Sequence, residues 1–416
     1  MNIGELLKSG VPAQILGVLQ EIGGVAEGRD ERVYAVGGVI RDLLLRRPVL
    51  DLDLVIEGKA IPLAWQIAKA GNWQVRTHPH FGTAKLLAND FSLDFATARS
   101  ETYAYPGALP TVEWGTINED LFRRDFTINA MAASLIPESF GDVLDPHGGQ
   151  RDLEEGLIRI LHPGSFSDDP TRILRAIRYE QRFDFRLEED TEQVMQQDMD
   201  ILDNVTGERL WHDLELILEE ERPEKVLCRA YDLGALQHLC PATKGDAWLR
   251  DKFARCRSND DHTLHMPTIY LCLMIYRLSE EETQTCISRL KMPGWAKRAV
   301  QNTVELRDSA AHLSTPKLRP SQIYREVERY SPEAIAAAAL ASESHIVQER
   351  LDLYLDVLRY VKCSLSGDDL KRMGIEEGKR IGQILRTIHD ARLDGEVVNR
   401  QEEEQLVRRM LAEENR

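Results

Sequence analysis

The sequence predicts an α+β protein in which a small mixed α/β domain is followed by an all-helical remainder. Short β-prone runs alternate with helical ones up to about residue 135, whereas beyond about residue 150 apolar residues recur three and four positions apart. A chain of 416 residues is also too long for one compact core. We therefore expect two to four domains.

Local patterns place the elements of the first region. The predicted strands cover 33–36, 52–56, 83–87 and 91–96, and the predicted helix covers 60–70. The last two strands are expected to form a hairpin that turns at Asn89-Asp90. Residues 100–113, which contain two prolines and a glycine, are expected to form a loop.

Composition limits the function classes. The formal net charge of −17 argues against a protein that coats long RNA nonspecifically, but it leaves room for a local basic groove. Neither an apolar run of membrane-spanning length nor a signal-peptide pattern is present, so we expect a cytoplasmic protein. The six cysteines are widely spaced and include no Cys-x-x-Cys pair, which predicts reduced thiols rather than a zinc site or a disulfide framework.

The sharpest local feature begins with the sequence GGVIRD at 37–42. A strand is expected to end at its two glycines and a helix to follow. Glycine lets backbone N–H groups approach a phosphate closely, and a helix N-terminus favours an anion. Gly38 and Arg41 are therefore candidate phosphate-binding residues, since a guanidinium suits the same phosphate.

An Asp-x-Asp pair follows this turn. Asp51 and Asp53 are two positions apart on a predicted strand, so both carboxylates leave the same face. Mg²⁺ prefers oxygen ligands and commonly bridges carboxylates to substrate phosphates. Both aspartates are candidate catalytic metal ligands, and Asp94 on a later strand is a candidate third acid. In isolation, an Asp-x-Asp pair is more often a solvated strand edge.

These residues also carry a family resemblance. The segment GGVIRDLLLRRPVLDLDLV resembles the first signature of the class II tRNA nucleotidyltransferases and their bacterial poly(A) polymerase relatives, which belong to the polymerase-β-like nucleotidyltransferase superfamily. The segment RRDFTINAMA at 123–132 resembles their second signature. The resemblance implies that Arg124 binds phosphate, that Asp125 accepts a hydrogen bond from a ribose hydroxyl, and that Asn129 lies in the same nucleotide site.

A third signature starts with Asp168-Asp169-Pro170. On its own this segment is typical of a helix that begins at Pro170, with an acidic cap before it and a solvated arginine stripe. The family resemblance implies instead that Asp169 and Arg172 hydrogen-bond the base edge of the incoming nucleotide, supported by Arg175 and Arg178. An ionised carboxylate only accepts and a guanidinium only donates, which suits cytosine and adenine, whose exocyclic amines both donate.

The resemblance implies a nucleotidyltransferase head at 1–135, a neck with the base-selecting helix at 136–195, a body at 196–312, and a tRNA-binding tail at 313–416. The implied reaction is template-independent addition of C and/or A from CTP or ATP to the tRNA 3′ end, with Mg²⁺ and release of pyrophosphate. Complete CCA addition, CC-only and A-only addition stay open. The alternatives are a poly(A) polymerase, a non-catalytic tRNA-binding protein, and a small-molecule nucleotidyltransferase.

Overall fold

The computed structural model describes residues 1–49, 52–88, 91–105, 107–108, 110–258 and 263–414. The chain divides into two compact units, one of residues 1–209 and 233–238 and the other of residues 210–232 and 239–416. The first unit contains the strands and the second is helical, so the expected α+β class is confirmed.

The strands lie at β1 (Arg32–Val36), β2 (Leu52–Glu57), β3 (Gln74–His78), β4 (Thr83–Leu87), β5 (Ser92–Thr97), β6 (Arg99–Thr102), β7 (Thr111–Trp114), β8 (Ala132–Ser134), β9 (Val143–Leu144), β10 (Leu157–Ile158) and β11 (Arg186–Leu187). The first ten helices are α1 (Gly4–Gly10), α2 (Ala13–Glu27), α3 (Gly38–Leu44), α4 (Ala60–Gly71), α5 (Ile117–Phe122), α6 (Gly149–Glu155), α7 (Ser165–Asp168), α8 (Arg172–Phe183), α9 (Glu189–Gln197) and α10 (Gly207–Leu218). The division between the two units falls within α10.

The main sheet has the strand order β3-β4-β5-β2-β1-β8-β9. Neighbouring strands run antiparallel except β2 and β5, which are parallel. The four strands and the helix predicted for this region are confirmed, while the predicted turn at Asn89-Asp90 lies outside the described residues.

The two faces of this sheet are covered differently. On one face α4 packs against β4 and β5, and buries Leu63 and Ile67 over strand residues such as Phe95. On the other face α5 covers the β1 side, where Tyr34 and Val55 share a buried cluster with residues of α5. The part of this second face over β5, β4 and β3 carries polar side chains.

Two expectations about strands are corrected. The expected loop at 100–113 contains strand at both of its ends, since β6 and β7 pair antiparallel. Trp114 at the end of β7 packs against Gly82, a tertiary contact that the sequence does not reveal. Beyond residue 150, where no strand was expected, β10 and β11 form a two-residue parallel pair.

The remaining helices are α11 (Pro223–Leu233), α12 (Ala235–Leu239), α13 (Ala247–Arg257), α14 (Met266–Ile275), α15 (Glu280–Leu290), α16 (Gly294–Ser309), α17 (Pro320–Val327), α18 (Pro332–Ala341), α19 (His345–Asp356), α20 (Gly367–Arg372), α21 (Lys379–Leu393) and α22 (Arg400–Glu414). The expected succession of helices is therefore confirmed. Within the second unit α14 packs against α16 and α18 and is buried over most of its length. No helix among the described residues is long and apolar enough to cross a membrane.

Carboxylates fix the helices of the second unit near its C-terminus. The fully buried Glu403 side chain accepts hydrogen bonds from the backbone N–H groups of Ser364 and Leu365, and pairs with Arg392 at 2.7 Å. Asp394 accepts both the N–H and the hydroxyl of Ser321 at 2.9 and 2.8 Å. These bonds order the helix ends around the small apolar cluster formed by α20, α21 and α22.

The cysteine expectation was wrong for one pair. Cys240 and Cys286 are joined by a disulfide, with their Cα atoms 5.0 Å apart, whereas Cys228, Cys256, Cys272 and Cys363 are free. The pair is 46 positions apart in sequence, so only the packing of the helices brings the two sulfurs together. Spacing along the chain carries no signal of such a pairing.

Purified without reductant and then denatured, the protein should expose four reactive thiols, and six after reduction. Reduction should also lower the free energy of unfolding by about 4 kcal/mol, because it removes a cross-link that restricts the unfolded chain. Thiol titration and urea unfolding measure the two effects. A Cys240→Ser/Cys286→Ser double variant is the control and should not respond to reductant. Six reactive thiols before reduction would contradict the pairing.

Candidate active site

Two acidic side chains lie side by side on the open part of the sheet. Asp53 on β2 and Asp94 on β5 are register partners in neighbouring parallel strands, so their side chains leave the same face. Asp53 is exposed and the Asp94 side chain is 43% exposed. Lys85 Nζ lies 2.9 Å from Asp94 Oδ2. Asp51, the other predicted metal ligand, lies outside the described residues.

The glycine turn follows directly after β1. Gly37 has φ +71°, a backbone conformation that favours glycine, and a Cβ there would lie 2.6 Å from Arg124 Nη1. Gly38 begins α3. The fully buried Asp120 fixes the Arg124 side chain against this turn at 3.1 Å and also pairs with Arg123 at 2.7 Å. Arg124 thus lies beside Gly37, and the guanidinium of Arg41 lies beside Gly38.

Arg41 points into the protein. Its guanidinium makes two bonds to Asp42, at 2.9 and 3.0 Å, and donates from Nη1 to Asn129 Oδ1 at 2.6 Å. It also lies over the rings of Tyr179 and Phe183. Only 6% of the residue is exposed. The Arg41 charge is thus balanced by Asp42 inside the fold.

From Asn129 the contacts continue toward the third signature. Asn129 Nδ2 donates to Asp125 Oδ1 at 3.0 Å, and Asp125 Oδ2 accepts from Arg175 at 3.4 Å. Arg175 in turn donates to Asp169 Oδ2 at 2.6 Å. We call the chain of contacts from Asp42 through Arg41, Asn129, Asp125 and Arg175 to Asp169 the inter-signature network. It brings five of the predicted site residues into one connected set.

Arg209 extends this network and was missed by the sequence analysis. Its guanidinium donates to Asp169 Oδ1 at 2.6 Å and to the carbonyl of Gly107 at 3.3 Å. Arg209 lies in the first turn of α10, outside the three signatures. A single arginine at a helix start has no sequence signal that marks it as part of a site.

Asp169 precedes the helix rather than belonging to it. We expected Pro170 at the first helical position, but α8 begins at Arg172, and Asp169 is in an extended conformation between α7 and α8. Its carboxylate accepts the N–H of Thr171 at 3.1 Å and the hydroxyl at 2.7 Å. Because the helix begins later than expected, Asp169 lies in an extended segment, and its carboxylate accepts from Arg175 and Arg209.

The pKa of Asp169 lies below its ordinary value. Burial on its own raises the pKa of this carboxyl, but the charges of Arg175, Arg209 and Arg172 and the hydrogen bond from Thr171 together outweigh burial. Asp169 is therefore ionised at neutral pH and acts only as an acceptor.

The two other predicted arginines are buried. Arg172 is 3% exposed and donates to the carbonyls of Ser165 and Arg123, at 3.2 and 2.6 Å. Arg178 is 8% exposed and lies over the ring of Tyr179. Arg172 thereby attaches the start of α8 to the second signature.

Arg172 also lines a cavity of ≈ 410 Å³. Phe122 in its wall stacks on His162 and lies close to His147. Burial lowers the pKa of both histidines, partly offset by Asp168 at His162 and by Asp145 at His147. The rings are therefore largely neutral at pH 7. The sequence analysis did not identify this cluster, because its residues come from separate segments.

Asp53 and Asp94 provide hard oxygen donors of the kind that Mg²⁺ prefers. Within the part of the chain that the structure describes, no group of three or more His, Cys, Asp or Glu side chains is arranged to hold a metal ion. The two carboxylates fit a metal that takes its other ligands from substrate phosphates and water. Asp94 already pairs with one cation at this place, the ammonium group of Lys85.

Family models match two parts of the chain. Residues 33–159 match the poly A polymerase head domain, and residues 184–246 match the probable RNA and SrmB-binding site of polymerase A. The first match contains the glycine turn, both described acids and the second signature.

Curated relatives match almost the whole chain. The A-adding tRNA nucleotidyltransferase of Halalkalibacterium halodurans is 31% identical over 98% of this chain and 95% of its own length. The A-adding enzyme of Geobacter sulfurreducens is 34% identical over 98% of this chain but only 48% of its own length. The A-adding enzyme of Aquifex aeolicus is 35% identical over 86% of this chain and 45% of its own length. The chain thus spans about half the length of these last two relatives.

Solved structures match equally broadly. A CCA-adding enzyme in an apo form superposes with a TM-score of 0.82 at 34% identity, with 98% of both chains covered. The Thermotoga maritima CCA-adding enzyme complexed with tRNA gives a TM-score of 0.76 at 33% identity, with 99% of both chains covered. A CCA-adding enzyme complexed with ATP gives 0.80 at 34% identity and the same coverage.

The lowered pKa of Asp169 predicts how its contribution to stability depends on pH. Because the pKa is lower in the folded than in the unfolded chain, this contribution is complete above about pH 4 and is lost as pH falls through the folded-state pKa. Asp169→Asn should lower the free energy of unfolding by about 2 kcal/mol. Urea unfolding of both proteins should give the same difference at about pH 8 and at about pH 5. A difference that halves by about pH 5.5 would contradict an ionised, arginine-bound Asp169.

Proposed function

Because the chain belongs to the tRNA nucleotidyltransferase family, we propose that it adds C and/or A nucleotides from CTP and ATP to the 3′ end of tRNA without a nucleic-acid template. The observation that carries this proposal is the inter-signature network. It connects the glycine turn, the second signature and Asp169, so that parts suited to triphosphate, ribose and base lie in one connected site. The reaction is attack of the RNA 3′-hydroxyl on the α-phosphate, with pyrophosphate leaving.

Nucleotidyltransferases of this family generally use a divalent metal ion. We propose that Asp51 and Asp53 hold Mg²⁺ and that Asp94 serves as a third acid. The parallel register of Asp53 and Asp94 supports this assignment, since it puts both carboxylates on one open face. The bound ion would lower the charge on the reacting phosphate and activate the attacking hydroxyl.

The hydrogen bonds and ion pairs of the site suggest different roles for the residues proposed to bind phosphate and ribose. Arg124, which pairs with Asp120 and lies beside Gly37, is the proposed phosphate-binding residue. Arg41 is a positioning residue, because Asp42 already balances its charge and its remaining bond orients Asn129. Asn129 in turn holds one oxygen of Asp125, the proposed acceptor of a ribose hydroxyl.

Asp169 is the proposed reader of the base. Its Oδ1 accepts from Thr171 and Arg209, whereas Oδ2 accepts one hydrogen bond from the described residues, that of Arg175. A carboxylate oxygen has two acceptor sites, so Oδ2 retains capacity for the exocyclic amine of cytosine or adenine. Arg172 and Arg178 support the same helix from inside the fold, and Arg172 has an Nε–H that finds no acceptor among the described residues.

The remaining regions follow from the same proposal. We assign the head to 1–135, the neck to 136–195, the body to 196–312 and a tRNA-binding tail to 313–416. Local positive charge supports the tail assignment, since Lys379 and Arg380 begin α21. Lys371 and Arg372 at the end of α20 pair with Glu377 and Asp369, respectively. A tRNA substrate implies that the protein works in the cytoplasm.

Addition of the terminal A alone is the second candidate. Three curated relatives that match 86–98% of this chain are named A-adding enzymes, whereas the solved neighbours include CCA-adding enzymes with ATP and with CTP. A non-catalytic tRNA-binding protein would be expected to lack the acid pair, but Asp51, Asp53 and Asp94 are all present.

Three tRNA transcripts test the activity: one ending at the discriminator base, one at C and one at CC, each with Mg²⁺ and CTP, ATP or both. Label should enter the tRNA on at least the CC-ended transcript, and incorporation there alone, from ATP, would assign A addition. Asp53→Asn should lower incorporation by at least about 1,000-fold, because an amide removes the charge that holds the metal. The control is tRNA binding, which should stay unchanged. No incorporation on any transcript would refute the proposal.

Arg209 gives a test of base selection. Arg209→Ala removes a charged hydrogen bond from Asp169, and the selectivity for ATP or CTP over UTP, as a ratio of kcat/KM values, should fall about 10-fold. Arg209→Lys retains the charge and should recover part of the selectivity. Equal losses on every nucleotide would show that Arg209 serves only the fold.

A further inference from the structure

Four strands carry one straight row of charged side chains. The register pairs Asp53 with Asp94, Asp94 with Lys85, and Lys85 with Arg76. Directly paired residues on neighbouring strands point to the same face of a sheet. The row therefore runs from two acids at the centre of the sheet to two bases on β4 and β3, and we call the basic half, Lys85 and Arg76, the outer track.

The outer track is accessible. Arg76 is exposed and the Lys85 side chain is 44% exposed, and the opposite face of the same strands is covered by α4. In the described part of the chain β3 is the last strand of the sheet on this side. Strands lie about 4.8 Å apart, so Arg76 is roughly 10 Å from Asp94 along the row. It is near the acids without touching them.

Exposed aromatic rings accompany these charges. His78, the neighbour of Arg76 on the same face of β3, is exposed, and the turn into β4 presents Phe81, which is 48% exposed. Trp114, 57% exposed, packs against Gly82 in the same turn. Cations beside exposed rings are the combination that binds single-stranded nucleic acid, because phosphates pair with the cations and bases stack on the rings.

The two sides of the acids differ in chemistry. On the β1 side of Asp53 lie the glycine turn and Arg124, which the proposed function gives to the triphosphate. On the β5 side lie Asp94 and then the outer track. Nucleotidyl transfer is an in-line displacement, in which the attacking and leaving oxygens lie on opposite sides of the phosphorus. The attacking RNA should therefore approach from the side away from the triphosphate.

We propose that the outer track, with the Phe81 turn, binds the single-stranded 3′ end of the RNA and leads its terminal hydroxyl to Asp53 and Asp94. This inference rests on the proposed function and adds the path of the second substrate. Arg76 is a positioning residue that contacts an RNA phosphate near the 3′ end. Lys85 shares its charge between Asp94 and the RNA backbone.

Binding measured without nucleotide tests the track. The affinity of wild type and Arg76→Ala for a CC-ended tRNA is measured over a series of salt concentrations. Each lost contact to a single-stranded phosphate should reduce the slope of log K against log salt by about 0.7. We expect that reduction for Arg76→Ala, together with a KM for tRNA that is raised about 3- to 10-fold and a KM for ATP that is unchanged. Phe81→Ala should weaken binding without changing the salt slope, because it removes stacking and no charge.

Lys69→Ala is the matched control, since Lys69 is an exposed cation on α4, which covers the opposite face. A second control is a tRNA trimmed to a blunt acceptor stem, to which wild type and Arg76→Ala should bind equally. Equal salt slopes for Arg76→Ala, Lys69→Ala and wild type would overturn the proposal, as would a matched rise in the KM for ATP. Binding is measured without catalysis, so the two proposals can fail separately. If Arg76→Ala changes the salt slope but wild type incorporates no nucleotide, the outer track is supported and the proposed enzyme function is refuted.

Discussion

The pairing of Asp169 with Arg175 and Arg209 is the interaction on which the rest of the site depends. A carboxylate in this partly buried position would be costly without counter-charges, and each arginine would be costly without the carboxylate. Arg175 also binds Asp125, so the same charge balance extends into the second signature and, through Asn129, to Arg41 beside the glycine turn. Segments more than a hundred residues apart therefore hold one another in position.

This arrangement separates two tasks within the first unit. The sheet carries Asp53 and Asp94 on an open face, whereas Arg41, Asn129 and Asp125 of the inter-signature network are buried, where water competes little for their hydrogen bonds. Arg41, Arg172 and Arg178 belong to the interior part. Arg41 donates to Asn129, and Arg172 attaches the start of α8 to the carbonyl of Arg123, so both link predicted site residues to the fold.

The sequence predicted what depends on local pattern. The strands β1, β2, β4 and β5, the helix α4 and the turn at Gly37 follow from alternation, apolar spacing and the freedom of glycine. The family resemblance identified the residues of the network but not the direction in which each side chain points. Arg209, the Lys85–Asp94 pair and the Cys240–Cys286 bond arise from tertiary packing, which leaves no trace in spacing along the chain. The hairpin of β6 and β7 was missed for the same reason, since Trp114 finds its partner at Gly82.

The position of β3 at the margin of the sheet has a consequence for solubility. A terminal strand presents backbone donors and acceptors on its outer side, and these can pair with a strand of another molecule. Gln74, Arg76 and His78 place polar or charged side chains at every exposed position of β3. Charged residues on such a strand discourage that pairing. The same side chains would thus protect the protein from self-association through its sheet, so replacing them with apolar residues would expose an edge open to pairing with another molecule.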